Sequence, residues 1–193
     1  MEICVFGAAS KTIDEKYIIA VEELGEYLAK RGHNLVFGSG STGAMGAAAR
    51  GFKRGGGKTH GVVPNFFKED LSEFVDYNCD KMTYTETMRE RKAIMEDEAD
   101  AFVIAPGGIG TFEELFEILT LKQLGRHRKP IAIFNIDGYY DSLVESIEYG
   151  IKTNFIKENC RRLYDCFGVD DFDALADYLE NDDADGLTVN DLK

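Results

Sequence analysis

The chain has 193 residues, 44% of them hydrophobic, and a formal net charge of −13. This length and apolar content suffice for one substantial core, so we expect a single domain over residues 1–180 and an acidic, loose tail over residues 181–193. The negative charge excludes the basic surface with which proteins neutralise nucleic-acid phosphates.

The sequence opens on a strand pattern, without the charged leader and apolar core of a signal peptide. No apolar run reaches the roughly 20 residues that cross a bilayer. We therefore expect a cytoplasmic protein with no nucleic-acid or membrane partner. Neither the cysteines nor the histidines have metal-ligand spacing, which predicts free thiols and no metal. These residues are Cys4, Cys79, Cys160, Cys166, His33, His60 and His127.

The first half of the chain predicts alternating strands and helices. Short apolar runs indicate strands, and apolar residues that recur on one helical face indicate amphipathic helices. The strands are expected at 2–6, 34–37 and 59–63, and the helices at 17–31 and 44–54. Residues 65–83 show neither period, and we expect a polar and aromatic connection there.

The second half continues the alternation. Helices are expected at 87–98, 112–124, 140–152 and 172–180, and strands at 101–105, 130–135 and, as a short piece, near 160–164. Thr87 and Glu90 have the spacing of a capping box. Strands separated by helices predict an α/β fold, a Rossmann-like, doubly wound, mainly parallel sheet with helices on both faces. Ligands of such sheets bind at the carboxyl ends of the strands.

A glycine turn lies between one of these strands and the next helix. It reads Pro106-Gly107-Gly108-Ile109-Gly110-Thr111. Glycines let the backbone approach a ligand, and the free N–H groups and dipole of a helix N-terminus attract an anion. Glu114 follows three residues after Thr111, so it either closes a capping box with Thr111 or takes part in chemistry at the anion site. The spacing leaves both readings open.

A second glycine run, residues 38–43, fits the pattern G-x-G-x-x-G between a strand and a helix. The dinucleotide fingerprint belongs to the first strand-to-helix turn, however, and this run follows the second strand. The acidic residue expected after the next strand is also missing, since Pro64 and Asn65 stand there. We therefore favour a second phosphate or ribose cradle that uses Gly40 and Gly43.

The helix at 87–98 carries two cations beside its apolar face. Met88, Met95 and Ala99 share that face, and Arg91 and Lys92 flank it. Either the cations extend to solvent and pair with acidic neighbours, or the N-terminal end of the helix brings Arg91 near the glycine turn.

Together, Met88-x-x-Arg91-Lys92 and the motif P-G-G-x-G-T-x-x-E at residues 106–114 resemble the signature pair of the Lonely guy (LOG) family. These cytokinin riboside 5'-monophosphate phosphoribohydrolases are often mislabelled lysine decarboxylases. The resemblance covers most of the chain, including residues 6–10, 38–46, 61–64, 123–125 and 129–130. The family usually has a glycine where this chain has Ser39, and a Gly-Ser type of turn where it has Ala8 and Ala9.

The resemblance implies a Rossmann-like homodimer without a cofactor. Its reaction would be hydrolysis of the N-glycosidic bond of a nucleoside 5'-monophosphate, a cytokinin nucleotide or AMP, to the free base and ribose 5-phosphate. Arg91 and Glu114 would be the catalytic pair. The substrate-binding residues would be Gly107, Gly108, Gly110, Thr111, Met88, Lys92, Gly40, Gly43 and Ser10.

The alternative from another functional class is a non-catalytic nucleotide or phospho-ligand binding protein of the same fold. The presence of both Arg91 and Glu114 disfavours it. A pyridoxal-phosphate lysine decarboxylase is also disfavoured, since no lysine stands in a recognisable Schiff-base motif.

Overall fold

The computed structural model describes residues 1–68, 75–181 and 191. Seven strands form one sheet, in which every pair of neighbours is parallel. The strands are β1 Glu2–Phe6, β2 Asn34–Phe37, β3 Thr59–Pro64, β4 Lys81–Thr85, β5 Ala101–Ile104, β6 Ile131–Phe134 and β7 Asp165–Phe167. The helices are α1 Glu15–Lys30, α2 Gly43–Arg54, α3 Met88–Glu98, α4 Ile109–Gln123, α5 Asp141–Lys152 and α6 Phe172–Glu180.

The strand order is β4-β3-β2-β1-β5-β6-β7. The chain thus builds one half of the sheet outward from β1 and then returns to the other side of β1 with β5. This reversal leaves a crevice beyond the carboxyl ends of β1 and β5, where open α/β sheets bind their ligands. The predicted Rossmann-like fold is confirmed.

The core lies on both faces of the sheet, because successive side chains of a strand point to opposite faces. Ile3 and Val5 pack with residues of α1, α2 and α6, whereas Cys4 and Phe6 pack with residues of α3 and α4. All four are almost fully buried. The near-continuous apolar strands of the sequence therefore reflect burial on two faces.

Local signals explain where two helices begin. The Asp14 side chain accepts a hydrogen bond from the Lys16 N–H at the start of α1. Thr87 and Glu90 form the predicted capping box at the start of α3, with Thr87 Oγ1 accepting from the Glu90 N–H at 3.1 Å.

Two predictions of secondary structure are wrong. The connection expected at 65–83 contains a 3-10 helix, Asn65–Lys68, and the first part of β4, which is an edge strand. β4 is partly exposed, at Lys81 and Tyr84 in particular, because it lies at the edge of the sheet. The strand expected near 160–164 is a 3-10 helix, Glu158–Leu163, and β7 follows it. Cys160 and Leu163 are buried three residues apart, the spacing at which 3-10 side chains align.

Residues 69–74 and most of the tail predicted at 181–193 lie outside the described residues. Within residues 1–68, 75–181 and 191, no helix is both long and apolar enough to cross a membrane. The same residues contain no group of three or more His, Cys, Asp or Glu arranged to hold a metal ion.

Candidate active site

The candidate site lies at the carboxyl ends of β1, β2 and β5, where three loops meet. Ala8, after β1, donates its N–H to the Pro106 carbonyl after β5 at 3.1 Å. The Ala8 carbonyl in turn accepts from the Met45 N–H in the first turn of α2 at 3.1 Å. The loop after β1 thus joins both predicted glycine turns at the crevice.

The turn after β5 exposes a helix N-terminus. Gly108 is the N-cap residue of α4 and, as a glycine, supplies no side-chain cap to the helix. A Cβ at Gly107 would overlap Thr111 Oγ1 and lie 3.0 Å from the Ala8 nitrogen, so this position requires glycine. A Cβ at Gly108 or Gly110 would meet no described heavy atom within 4 Å. The space beside these two glycines is therefore open, and the first N–H groups of α4 have no acceptor within the helix, which is what an anion site requires.

This geometry excludes the capping box considered for Thr111 and Glu114. A capping box needs the threonine at the N-cap, outside the helix. Since α4 begins at Ile109, three residues before the predicted start, Thr111 lies within its first turn. Glu114 is therefore free of any role as a helix cap.

Two tyrosines, which the sequence analysis did not single out, hold the same turn from the loop after β6. The Tyr139 hydroxyl donates to the Gly107 carbonyl at 2.6 Å, and the Tyr140 hydroxyl donates to the Ala105 carbonyl at 2.8 Å. Tyr140 is fully buried. A buried tyrosine needs a partner for its hydroxyl, but the sequence shows only that the two tyrosines are adjacent and not that either is buried.

Arg91 on α3 and Glu114 on α4 meet beside this turn. Arg91 Nη1 lies 3.6 Å from Glu114 Oε1, and their side chains are 6% and 13% exposed. Arg91 Nε also donates to the Val62 carbonyl of β3 at 3.1 Å, which fixes the guanidinium from the sheet side. The sequence predicted that Arg91 lies near the glycine turn, and the structure brings it against the carboxylate that follows that turn.

The electrostatics of Glu114 are set by burial. Burial raises the pKa of Glu114 to about 7, while the positive charge of Arg91 opposes this rise. A carboxyl group with such a pKa exists in both protonation states near neutral pH. This property is typical of groups that transfer protons or respond to developing charge.

The second glycine run makes room for Arg91. A Cβ at Gly38, the residue that follows β2, would overlap the Arg91 guanidinium, so this position needs a glycine for Arg91 to lie where it does. Gly43 has a φ of +63°, and a Cβ there would collide with the Ala8 carbonyl. Ser39 also has a positive φ of 60°, in the position where the sequence departs from the family pattern. Its hydroxyl donates to the Asp76 carbonyl at 2.9 Å, which holds this conformation.

The other predicted substrate-binding residues differ in burial and in the side chains that they contact. Gly40 is buried against Met45, and Ser10 is exposed with its hydroxyl 3.0 Å from Thr12 Oγ1. Met88 is 40% exposed at the start of α3. The Lys92 ammonium donates to Glu113 and Glu117 of α4.

Comparison with known proteins identifies the family. A family model described as possible lysine decarboxylase matches residues 45–179. A cytokinin riboside 5'-monophosphate phosphoribohydrolase of Arabidopsis thaliana is 38% identical over 161 residues, which cover 83% of this chain and 75% of that protein. The chain belongs to the Lonely guy (LOG) family.

A second LOG relative, a probable cytokinin riboside 5'-monophosphate phosphoribohydrolase of Oryza sativa subsp. japonica, is 40% identical over 161 residues. That match covers 83% of this chain and 65% of the rice protein, so the chain spans about two thirds of that relative's length.

Solved structures show the same LOG-like fold in proteins with other names. The molybdenum cofactor carrier protein of Chlamydomonas reinhardtii superimposes with a TM-score of 0.68 at 25% identity, covering 93% of this chain and 98% of that one. The molybdenum cofactor binding protein of Rippkaea orientalis has a TM-score of 0.57 at 21% identity, covering 79% of this chain and 83% of that one, and this likeness concerns the fold alone.

Proposed function

We propose that the protein hydrolyses the N-glycosidic bond of nucleoside 5'-monophosphates, cytokinin riboside 5'-monophosphate or AMP, and releases the free base and ribose 5-phosphate. The observation that carries this proposal is the mostly buried pair of Arg91 and Glu114 beside an uncapped helix N-terminus. The names of the rice and Arabidopsis relatives, which match over 83% of the chain, support it.

The 5'-phosphate binds at the N-terminus of α4. The space beside Gly108 and Gly110 is open, the first N–H groups of the helix have no acceptor within it, and Thr111 adds a hydroxyl in the same turn. Binding the phosphate, which does not react, supplies energy that orients the ribose over Glu114. Nucleosides that lack the phosphate are therefore poor substrates.

Glu114 acts on the ribose. Cleavage of this bond passes through a ribose with oxocarbenium character, which a carboxylate stabilises and toward which it directs a water. The water oxygen bonds to C1' while the electrons of the N-glycosidic bond leave with the base, and the water's proton is transferred to that base. Arg91 favours the ionised form of Glu114 and positions the ribose or the leaving group.

The proposal is tested with Glu114→Gln. The variant is expected to lose at least about 100-fold in the release of adenine from AMP, because the amide keeps the shape of the side chain and removes its charge. Chromatography of the products measures this rate, and circular dichroism verifies the fold. Glu23→Gln serves as the matched control, since Glu23 is an exposed glutamate of α1. Turnover in Glu114→Gln equal to that of the wild type would refute the assignment.

The same assay decides between catalysis and binding alone. The alternative is a carrier of nucleotides or other phospho-ligands. One structural neighbour, the molybdenum cofactor carrier protein, is named as a carrier. Under that alternative, AMP binds the wild-type protein but adenine does not form, even at enzyme concentrations that exceed the substrate.

We also propose that the protein is a cytoplasmic homodimer, as the family resemblance implies. Exposed apolar side chains on α4, such as Ile109 at 87% and Phe116 at 43%, offer an apolar surface for a second copy. Sedimentation equilibrium is expected to give twice the monomer mass of 21.5 kDa. A monomer at micromolar concentration would contradict this part.

A further inference from the structure

A compact ion cluster joins α3 to α4 next to the candidate catalytic pair. The ammonium of Lys92 donates to the carboxylates of Glu113 and Glu117, which lie one turn apart on α4. We call these three residues the helix clamp. The side chain of Lys92 is only 15% exposed, whereas those of Glu113 and Glu117 are 55% and 35% exposed, so the ammonium is the shielded member of the clamp.

The clamp is placed to set the geometry of the reaction centre. Lys92 follows Arg91 directly in α3, and Glu113 precedes Glu114 directly in α4. The two members of the catalytic pair approach only to 3.6 Å, which is longer than a charge-assisted hydrogen bond. Their separation therefore depends on how closely the two helices are held, and the clamp ties the helices at the neighbouring positions.

We propose that Lys92 is a positioning residue, which holds α3 against α4 through Glu113 and Glu117 and thereby sets the distance between Arg91 and Glu114. This inference rests on the proposed function, since it concerns the geometry of that site. It also gives Lys92 a role distinct from the substrate contact that the family resemblance implies. An ammonium shared by two carboxylates has little remaining capacity for a ligand.

The charges of the clamp also act on Glu114. Arg91 and Lys92 of α3 lower the pKa of Glu114, whereas Glu113 and Glu117 of its own helix raise it. From the other elements, two neutral groups also couple electrostatically to Glu114: the buried thiol of Cys4 in β1 and the hydroxyl of Tyr140 after β6. Removal of the Lys92 charge is thus expected to move the titration of Glu114 toward higher pH.

Three variants test the clamp. Lys92→Met removes the charge and keeps the length of the side chain, and Lys92→Arg keeps the charge. The double variant Glu113→Gln, Glu117→Gln removes the other half of the clamp. Lys81→Met is the matched control, because Lys81 also pairs with an α3 glutamate, Glu98, but at the opposite end of that helix. For each protein, kcat and KM for AMP are measured as functions of pH, together with the thermal unfolding temperature.

We expect Lys92→Met to lower kcat about tenfold or more, with KM changed less than about threefold. The pH midpoint of the rate should rise in Lys92→Met and fall in the double variant. In both, kcat should fall, because α3 is no longer held against α4. Lys92→Arg should recover most of the activity, and Lys81→Met should match the wild type. A tenfold rise of KM at unchanged kcat would show a substrate contact instead and overturn the proposal. Wild-type kcat and pH midpoint in Lys92→Met would overturn it as well.

The titration of Glu114 can also be followed without turnover. Carbon-13 NMR of labelled glutamate carboxyls, with Glu114→Gln to identify the signal, gives the midpoint directly. If the wild type has no hydrolase activity, the proposed function fails, and the NMR shift in Lys92→Met still tests the clamp. An unshifted Glu114 signal in that variant would count against it. If Lys92→Met does not fold, the double variant decides, by whether its kcat falls at a little-changed KM, since the loss of two negative charges by itself lowers the midpoint.

Discussion

At the level of single residues, Glu114 illustrates how position changes the chemistry of a side chain. The sequence offers it two roles, a cap or a catalyst, and the start of α4 at Ile109 removes the first. What remains is a carboxyl group whose pKa is raised to about 7 by burial, against the opposing effect of the Arg91 charge. Neither the depth of burial nor the approach of Arg91 can be read from a local motif.

The pH dependence of the rate follows from that pKa. If ionised Glu114 stabilises the ribose cation, kcat/KM for AMP should rise as pH increases through about 7 and then level off. The substrate phosphate titrates near about pH 6, a unit lower, so the two steps can be separated. A stopped assay of adenine release between about pH 5.5 and 9 measures the profile. A rate that is highest below pH 6 would show that protonated Glu114 is the active form.

At the level of elements, the turn between β5 and α4 uses its glycines for different purposes. Gly107 is enclosed by Thr111 and Ala8, whereas Gly108 faces open space. The sequence identified the turn because glycines between an apolar strand and a helix are a local signal. It could not distinguish the two glycines, since what surrounds each comes from the loop after β1 and from the helix itself.

Alanine substitutions distinguish these roles. Gly107→Ala is expected to destabilise the fold by about 1–3 kcal/mol, since the new Cβ would overlap Thr111. Gly108→Ala is expected to cost less, about 0.5–1 kcal/mol for the poorer N-cap, and to raise KM for AMP, because its methyl group enters the proposed phosphate site. Urea unfolding and steady-state kinetics measure both effects. Equal destabilisation by the two substitutions would contradict this assignment.

Element prediction failed where tertiary contacts override local pattern. β4 is a partly exposed edge strand that pairs with β3, and it lacks the buried apolar run by which the inner strands were recognised. β7 has three residues, too few for a periodic signal, and the buried Cys160 and Leu163 before it belong to a 3-10 helix. The long, buried strands and the capped helix α3 were predictable, since their signals are local and repeated.

At the level of the whole molecule, the ionisable groups act on stability with opposite signs. Burial raises the pKa of Glu96 and Glu114 to about 7 from an ordinary value of 4.5. Both bind protons more tightly when folded, so the stability they contribute is lost as pH rises from about 4.5 to about 7. Asp80 has its pKa lowered by hydrogen bonds from Thr59, so its contribution is lost at low pH instead.

We therefore expect maximal stability near about pH 5 and a decline toward pH 8. Glu114 accounts for up to about 3 kcal/mol of that decline, because a shift of one pKa unit corresponds to about 1.4 kcal/mol. Urea unfolding of the wild type and of Glu114→Gln at several pH values measures the difference, which should narrow toward low pH. Parallel stability profiles for the two proteins would contradict the raised pKa.

By itself, the sequence determined the fold class, the glycine turn, the family and the two residues proposed to catalyse. Each rests on periodicity or on motifs, which report the local backbone and the face that is buried. Only the tertiary structure decided that Arg91 meets Glu114, that Gly38 makes room for Arg91 and that Lys92 ties α3 to α4. These contacts join side chains on separate elements, and the strand order and the packing of helices on the sheet set their distances.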